Sequence, residues 1–344
     1  MKRFNSKDCC YVTRQKRNEE KLPTLKDVAK KANVSVTTAS YAINGNELIP
    51  KETRDKVLTA AKEIGYRPNG IAKNLKKSKS ELIGVFLSGF KGPFFNEMLE
   101  GVQDEVVKRG YEMVVCASNE KHRLLVEHYV DGAIILNYHL SNELIDSLAG
   151  AKMPMVVLDR EIDNPFIKNI VLQNEMGMEL AVSHLMEKGH ERIGFIGGPE
   201  DSYDGEKRMK GYLKSLVSHT LPVNERDILR GLFTEESGYG VMDKYLSHFQ
   251  KDIPTAFICA NDEMAMGAIR ALQNSGLNVP EDVAIIGFDD IEVAKFFTPP
   301  LSTVRVHKKT WGKTAADVLF KMLNQETESE TTEITVELIS RSSS

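Results

Sequence analysis

TLKDVAKKANVSVTTASYAIN, Thr24 to Asn44, decides how the first part of this chain folds. Thr24, with Asp27 three residues on, has a capping-box pattern, in which side-chain oxygens answer N–H groups left free at a helix start. Leu25, Val28, Ala29 and Ala32 then recur at helical spacing and make one apolar face. Asn33-Val34 reads as a turn and Ser35 as the cap of a second helix reaching Ile43. Asn44-Gly45 closes that helix, because glycine accepts the left-handed backbone a helix end needs. Pro50 suits the first turn of a third helix, with Val57, Leu58, Ala61 and Ile64 facing inward and Gly65 ending it. Two short helices on a tight turn with a third behind them form a helix-turn-helix unit, here spanning 23–68.

In such a unit the second helix enters the major groove and offers its N-terminal residues to base edges. Val36 can touch a thymine methyl, Thr37 can bond either base type, and Tyr41, one turn on, reaches bases or backbone. Thr38 and Ser40 carry hydroxyls suited to phosphate oxygens, which set register rather than sequence. Taken singly these residues describe only a solvated helix face; caps, turn and charge together point to DNA. Residues 1–79 carry 19 Lys and Arg against 8 Asp and Glu, leaving 26 against 41 in the remainder of a chain whose net charge is −4. A basic segment on an acidic body fits a protein with one part that meets a polyanion.

Before the unit, residues 1–22 are polar and aperiodic and read as a disordered arm. That arm has no apolar stretch for export, and no run of about 18 apolar residues occurs anywhere, so a cytoplasmic protein is expected. A translation start near Leu22 would account for the arm. Beyond Leu82 apolar runs alternate with amphipathic stretches. The runs are Leu82–Leu87, Met113–Cys116, Ala133–Leu136, Met155–Leu158, Ile193–Ile196, Ala256–Cys259 and Val283–Phe288. Alternation of this kind means βαβ units, and at least seven strands are more than one small sheet usually holds, so two Rossmann-like lobes are expected. Cys116 and Cys259 lie in apolar runs and read as buried thiols, and no cysteine spacing suggests a metal or a disulfide framework.

Ligands in open α/β sheets bind beyond the carboxyl ends of the strands. Phe94 and Phe95 follow the first run, Asp159 the fourth, Gly197-Gly198-Pro199 the fifth, Asn261 the sixth, and Asp289 the last. Aromatic rings beside Asp and Asn suit a polyhydroxylated ligand, with rings stacking on a sugar face and polar groups bonding hydroxyls. Each residue alone is as readily a helix cap or a core contact; five converging loops favour a site. No phosphate loop, dinucleotide fingerprint, nucleophile elbow or zinc helix occurs, so neither an enzyme nor a cofactor is expected.

Thr24–Asn44 with Ile49–Asn69 resembles the DNA-binding domain of the lac-repressor (LacI/GalR) family, and the likeness runs on to near the C-terminus. The resemblance implies an all-α helix-turn-helix domain plus an α/β periplasmic-binding-protein-like core at 81–341. Its N-lobe is expected over about 81–161 plus 303–325 and its C-lobe over about 162–292 plus 327–341. It implies a hinge helix and linker at 69–80, with Leu75 as a minor-groove wedge and Asn69, Ala72 and Lys76 around it. It adds Leu25, Ser35, Asn44, Arg54 and Tyr66 to the residues facing DNA. Effector contacts carried over are Phe94, Phe95, Asp159, Arg208, Phe233, Asn261 and Asp289. It implies a homodimeric repressor on pseudo-palindromic double-stranded operator DNA, controlled by a sugar or sugar phosphate. A regulator acting with a phosphorylated carrier protein is the alternative within the family. A transporter's solute receptor shares the lobes but has no use for the basic unit. Between Cys116 and Val130 the chain is shorter than in relatives, so a truncated helix is expected there.

Gly70 stands where the family usually has Ala, and glycine inside a helix costs about 1 kcal/mol against alanine. If the hinge folds on DNA, Gly70→Ala tightens operator binding several-fold; equal or weaker affinity in a gel-shift titration rules out a coupled folding step.

Overall fold

The structure, a computed structural model, describes residues 22–68, 79–117, 121–249, 252–326 and 332–344. The expected arm up to Lys21 and the hinge residues Asn69, Gly70, Ala72, Leu75 and Lys76 lie outside the described residues. The chain divides after Lys79 into two units.

The first unit consists, in its described part, of α1 (Leu25–Ala32), α2 (Val36–Ile43) and α3 (Lys51–Glu63). The Asp27 carboxylate accepts from the Thr24 N–H at 2.8 Å and from its hydroxyl at 2.7 Å, fixing the entry to α1. Ser35 Oγ accepts from the Thr38 N–H at 3.0 Å and starts α2. Gly45 at φ +71° and Gly65 at φ +66° take the left-handed conformation that ends α2 and α3. Val28, Ala29, Ala32, Ala39, Ala42, Val57, Ala60 and Ala61 form a separate small core. Five of its eight members lie on α1 and α2, and their small side chains let those helices approach closely.

The second unit, from Ser80, contains two six-stranded sheets. Its elements, in chain order, are β1 (Leu82–Leu87), α4 (Phe94–Lys108), β2 (Glu112–Ala117), α5 (Arg123–Val126), β3 (Gly132–Leu136), α6 (Asn142–Leu148), β4 (Met155–Val157) and β5 (Ile167–Leu172). Then follow α7 (Asn174–Glu187), β6 (Ile193–Gly197), α8 (Tyr203–Ser218), β7 (Ile228–Arg230), α9 (Glu235–Phe249), β8 (Ala256–Cys259) and α10 (Asp262–Asn274). Last come β9 (Ala284–Asp289), β10 (Ser302–Val306), α11 (Lys308–Leu323), β11 (Thr332–Ile334) and β12 (Val336–Ile339). The first sheet runs β11-β5-β4-β3-β1-β2 and the second β12-β10-β9-β8-β6-β7. All neighbours are parallel except β10 and β12. The fully buried runs IIGF and AIIL-type strands are what parallel sheets covered on both faces require.

The chain crosses between lobes three times, after β5, after β10 and between β11 and β12. The expected lobe boundaries are corrected accordingly. Strand β5, residues 167–172, pairs with β4 in the first sheet through 167–169 rather than joining the C-lobe, and 302–305 of β10 pair with β9 in the second. Residues 332–334 pair with β5 and so return to the first lobe. Sheet membership here is set by pairing between segments far apart in sequence, which local pattern does not carry. The helix between β2 and β3 is one turn long, Arg123–Val126. Cys259 is buried as expected, while Cys116 is only partly so.

In the N-lobe, α4 and α11 pack through two glycines. A Cβ on Gly101 would lie 2.1 Å from the Lys309 carbonyl oxygen, and one on Gly312 would lie 2.0 Å from that of Met98. The obstacles are backbone, so the helices must separate to admit a methyl. Gly312→Ala is expected to cost about 1–3 kcal/mol, read as a lower urea midpoint at unchanged slope. An unmoved midpoint would show that the two helices slide apart freely.

Candidate ligand cleft and nucleic-acid interface

On α2, Val36 is 41% and Tyr41 46% exposed. Thr37 is exposed beside them, and Ala39 faces the core. Val36, Thr37 and Tyr41 therefore form one open edge of the helix. The others are less free. The Thr38 hydroxyl shares a 2.8 Å hydrogen bond with Ser35, and Ser40 is half-buried with its carbonyl taking the Asn44 amide at 2.8 Å. Arg54 donates to the carbonyls of Asn46 at 3.1 Å and Ile49 at 3.3 Å, which holds the loop before α3. Leu25 and Tyr66 pack partly against the small core.

In the second unit, one cavity of about 280 Å³ is lined by Phe94, Phe95, Asp159, Arg208, Phe233, Asn261 and Asp289 together. Phe94, Phe95 and Asp159 come from the first lobe and the other four from the second, every one at or beyond the carboxyl end of a strand. That is where an α/β sheet offers a crevice. Phe94 and Phe95 meet edge to face, 5.3 Å between centroids, and Phe94 leans on the buried Trp311 at 6.4 Å. Asn261 caps α10 by accepting from the Met264 N–H at 3.0 Å and donates to the Phe233 carbonyl at 3.0 Å. A Cβ on Gly198 would sit 2.2 Å from the Phe233 ring, so the glycine makes room for that side chain.

The polar floor is a network around Arg208, which is 3% exposed. Its Nε donates to Asn174 Oδ1 at 2.8 Å, Nη1 donates to the Ala260 carbonyl, and its plane covers the Phe288 ring at 3.7 Å. Asn174 in turn donates to Asp204 Oδ1 at 2.7 Å. Asp289 Oδ1 lies 3.6 Å from Arg208 Nη1 and has no hydrogen-bond partner. Burial pushes the Asp289 carboxyl up to about 7 against the opposing pull of Arg208 and Lys308. Burial likewise lifts Asp204 to about 6 and raises Asp159, whose two oxygens each accept from Arg160 at 3.0 Å. Phe233 at φ +59°, Asp289 at +112° and Asp290 at +50° hold conformations that L-residues rarely adopt. Such strain gathers at ligand-binding sites, where the surroundings hold it in place.

Several lining residues were not among those read from the sequence: Lys91, Tyr138, Asp204, Thr234 and Glu263. Asp204 follows the capping Ser202 and reads as an ordinary acid in a first helical turn. Nor does the sequence single out Lys308. It is 1% exposed, and its ammonium donates to the carbonyls of Asp289 at 2.7 Å and Asp290 at 3.1 Å. Its only sequence signal was a lysine at the start of an amphipathic helix, where a cation is ordinarily unfavourable. Among the described residues no group of acids, histidines and cysteines is arranged to hold a metal, and no helix is long and apolar enough to cross a membrane.

A helix-turn-helix unit carried on a two-lobed receptor with an interlobe cavity defines a DNA-binding regulator with an effector-binding domain. Comparison with known proteins agrees. The profile of bacterial regulatory proteins of the lacI family matches residues 24–69, and that of a periplasmic binding protein-like domain matches 182–344. The HTH-type transcriptional repressor PurR of Aliivibrio fischeri (strain MJ11) is 36% identical over 94% of this chain and 98% of its own. The lac repressor dimer bound to operator and the anti-inducer ONPF superimposes with a TM-score of 0.78 at 30% identity, covering 94% of this chain and 99% of that one. The transcriptional regulator CelR in complex with cellobiose gives 0.71 at 31%, covering 94% and 100%. The chain belongs to the lacI family and is a DNA-binding transcriptional repressor.

The raised Asp289 carboxyl fixes a sign. Its folded pKa, about 7, lies above the ordinary 3.8, so the folded state binds the proton more tightly. Stability from this group is full below about pH 4 and is lost as pH rises towards 7, by up to about 1.4 kcal/mol per pH unit. Melting of the ligand-free protein should therefore fall relative to Asp289→Asn across that window and run parallel above it. A difference that does not change with pH would mean the carboxyl is not held protonated.

Proposed function

We propose that the protein binds a pseudo-palindromic operator as a homodimer and that a small hydroxylated ring in the interlobe cleft sets how tightly it holds on. The observation that carries this is the convergence of seven anticipated side chains, from both lobes, on one cavity. At about 280 Å³ it falls just short of the roughly 300–1,000 Å³ common for ligand sites, which suits a single ring. Phe94, Phe95 and Phe233 supply faces for the ring, and Asp159, Asn261 and Asp289 supply partners for its hydroxyls. CelR, solved with cellobiose, is a relative whose ligand is likewise a hydroxylated sugar, though of two rings. Of the two classes left open by the sequence, the cleft favours a sugar over a sugar phosphate. Four carboxylates line it, and its buried guanidinium already serves Asn174, Ala260 and Phe288.

On the DNA side, Val36, Thr37 and Tyr41 read bases, with Leu75 as the minor-groove wedge. The reading places the protein in the cytoplasm, where its operator is, and assigns no reaction to the cleft.

The test has two readouts on one compound. Melting against a panel of sugars, sugar phosphates and purines should reveal a ligand, which at 100 times its Kd adds about 2.7 kcal/mol. The same compound should change operator affinity in a gel shift. Asp289→Ala should lose both responses and still hold the operator. A compound that shifts melting equally in the variant would place the effector elsewhere.

A further inference from the structure

The acids that line the cleft outnumber the cations that line it: Asp159, Asp204, Glu263 and Asp289 against Arg208 and Lys91. Behind the lining, Lys308 also pulls on Asp289, while its own hydrogen bonds go to the Asp289 and Asp290 carbonyls. Arg160 is taken up by Asp159 and by the carbonyls of Leu140 and Asn137, each 2.6 Å away. Arg208 directs its hydrogen bonds to Asn174 and Ala260 and reaches Asp289 only at 3.6 Å. Lys91 is exposed, and the carboxylates near it are Glu263 and Glu236. Asp289 Oδ1 is thus left buried and without a hydrogen bond, on a residue only 5% exposed that lines the cavity. The acids also repel one another: Asp204 and Glu263 act on Asp289, and Asp159 acts on Asp204.

An unpaired buried carboxylate is costly unless it takes a proton or meets a positive charge. The walls suit a charge brought by the ligand, because Phe94, Phe95, Phe233 and Tyr138 line them and an aromatic ring attracts a cation over its face, by about 0.5–2 kcal/mol in favourable geometry. We infer that the effector is an amino sugar, a small hydroxylated ring whose protonated amine is met by Asp289 and Asp204. The inference rests on the reading of the cleft as the effector site.

The experiment is calorimetric titration of the full-length chain with matched pairs: glucosamine and glucose, galactosamine and galactose, mannosamine and mannose. N-acetylglucosamine, which keeps the nitrogen and loses the charge, and adenine complete the set. The expected result is that one amine binds at least tenfold tighter than its neutral partner and than an acetylated form. Asp204→Asn should shrink that amine-over-neutral ratio at least fivefold, and Asp204→Glu should restore it. The ratio is the readout because a general loss of packing would weaken both members of a pair alike. If a neutral sugar binds as tightly as its amine, the amine is wrong and the sugar-binding reading survives. If no sugar of either kind binds and adenine does, both fall together.

Discussion

The ammonium of Lys308 is the contact on which the geometry of the second unit turns. A lysine 1% exposed survives only if its charge is answered, and here two carbonyls, Asp289 and Asp290, and the Glu97 carboxylate at 3.5 Å do so. Lys308 is the first residue of α11, just after the chain has crossed from β10 in one lobe to the other. The carbonyls it binds belong to the loop where β9 ends, and Glu97 lies on α4 of the opposite lobe. One side chain therefore fixes a crossover, a helix start and the strained backbone that aims Asp289 into the cleft. Asp262 supports the same loop from below, accepting from the Ile291 N–H at 2.8 Å and from the Thr303 hydroxyl. The φ of +112° at Asp289 persists because these partners over-determine it.

How much of this was legible follows from the range of each signal. The three helices of the first unit are written locally: Thr24 with Asp27, Ser35, Gly45 and Gly65 each act within four residues of themselves. Strands β1, β3, β4, β8 and β9 announce themselves as unbroken apolar runs. Strand β5 does not, because Lys168 and Asn169 interrupt IKNIVL, and β10 is broken by Arg305, which reaches out to Asp290 at 2.6 Å. The short strands β7, β11 and β12 sit at sheet edges, where half of each ladder is unpaired and an apolar run is not required. The three crossovers were beyond reach for a different reason, since a strand's own residues do not say which distant strand it will join.

The cleft shows the same division. Asp289 and Asn261 stand at strand ends and could be read as ligands from position alone. Asp204 looks like an ordinary acid in the first turn of a helix, and only the folded chain shows that Asn174 ties it to Arg208. Its role is set by a neighbour 30 residues away. The family resemblance supplied Arg208 and Phe233, and the fold supplies the reason they matter: one ties Asn174 to the Ala260 carbonyl across the floor, the other is admitted by Gly198.

Control of DNA binding requires a ligand that prefers one arrangement of the lobes over another. The cavity meets that requirement through its composition, because its walls belong to the two different sheets of the same unit. Phe94, Phe95 and Asp159 are carried by the first sheet and its helices, whereas Arg208, Phe233, Asn261 and Asp289 are carried by the second. A ligand bound to either wall alone would gain affinity without any preference between open and closed lobes. One that spans both loses part of its partners when the lobes part, and that difference is its preference between the two arrangements.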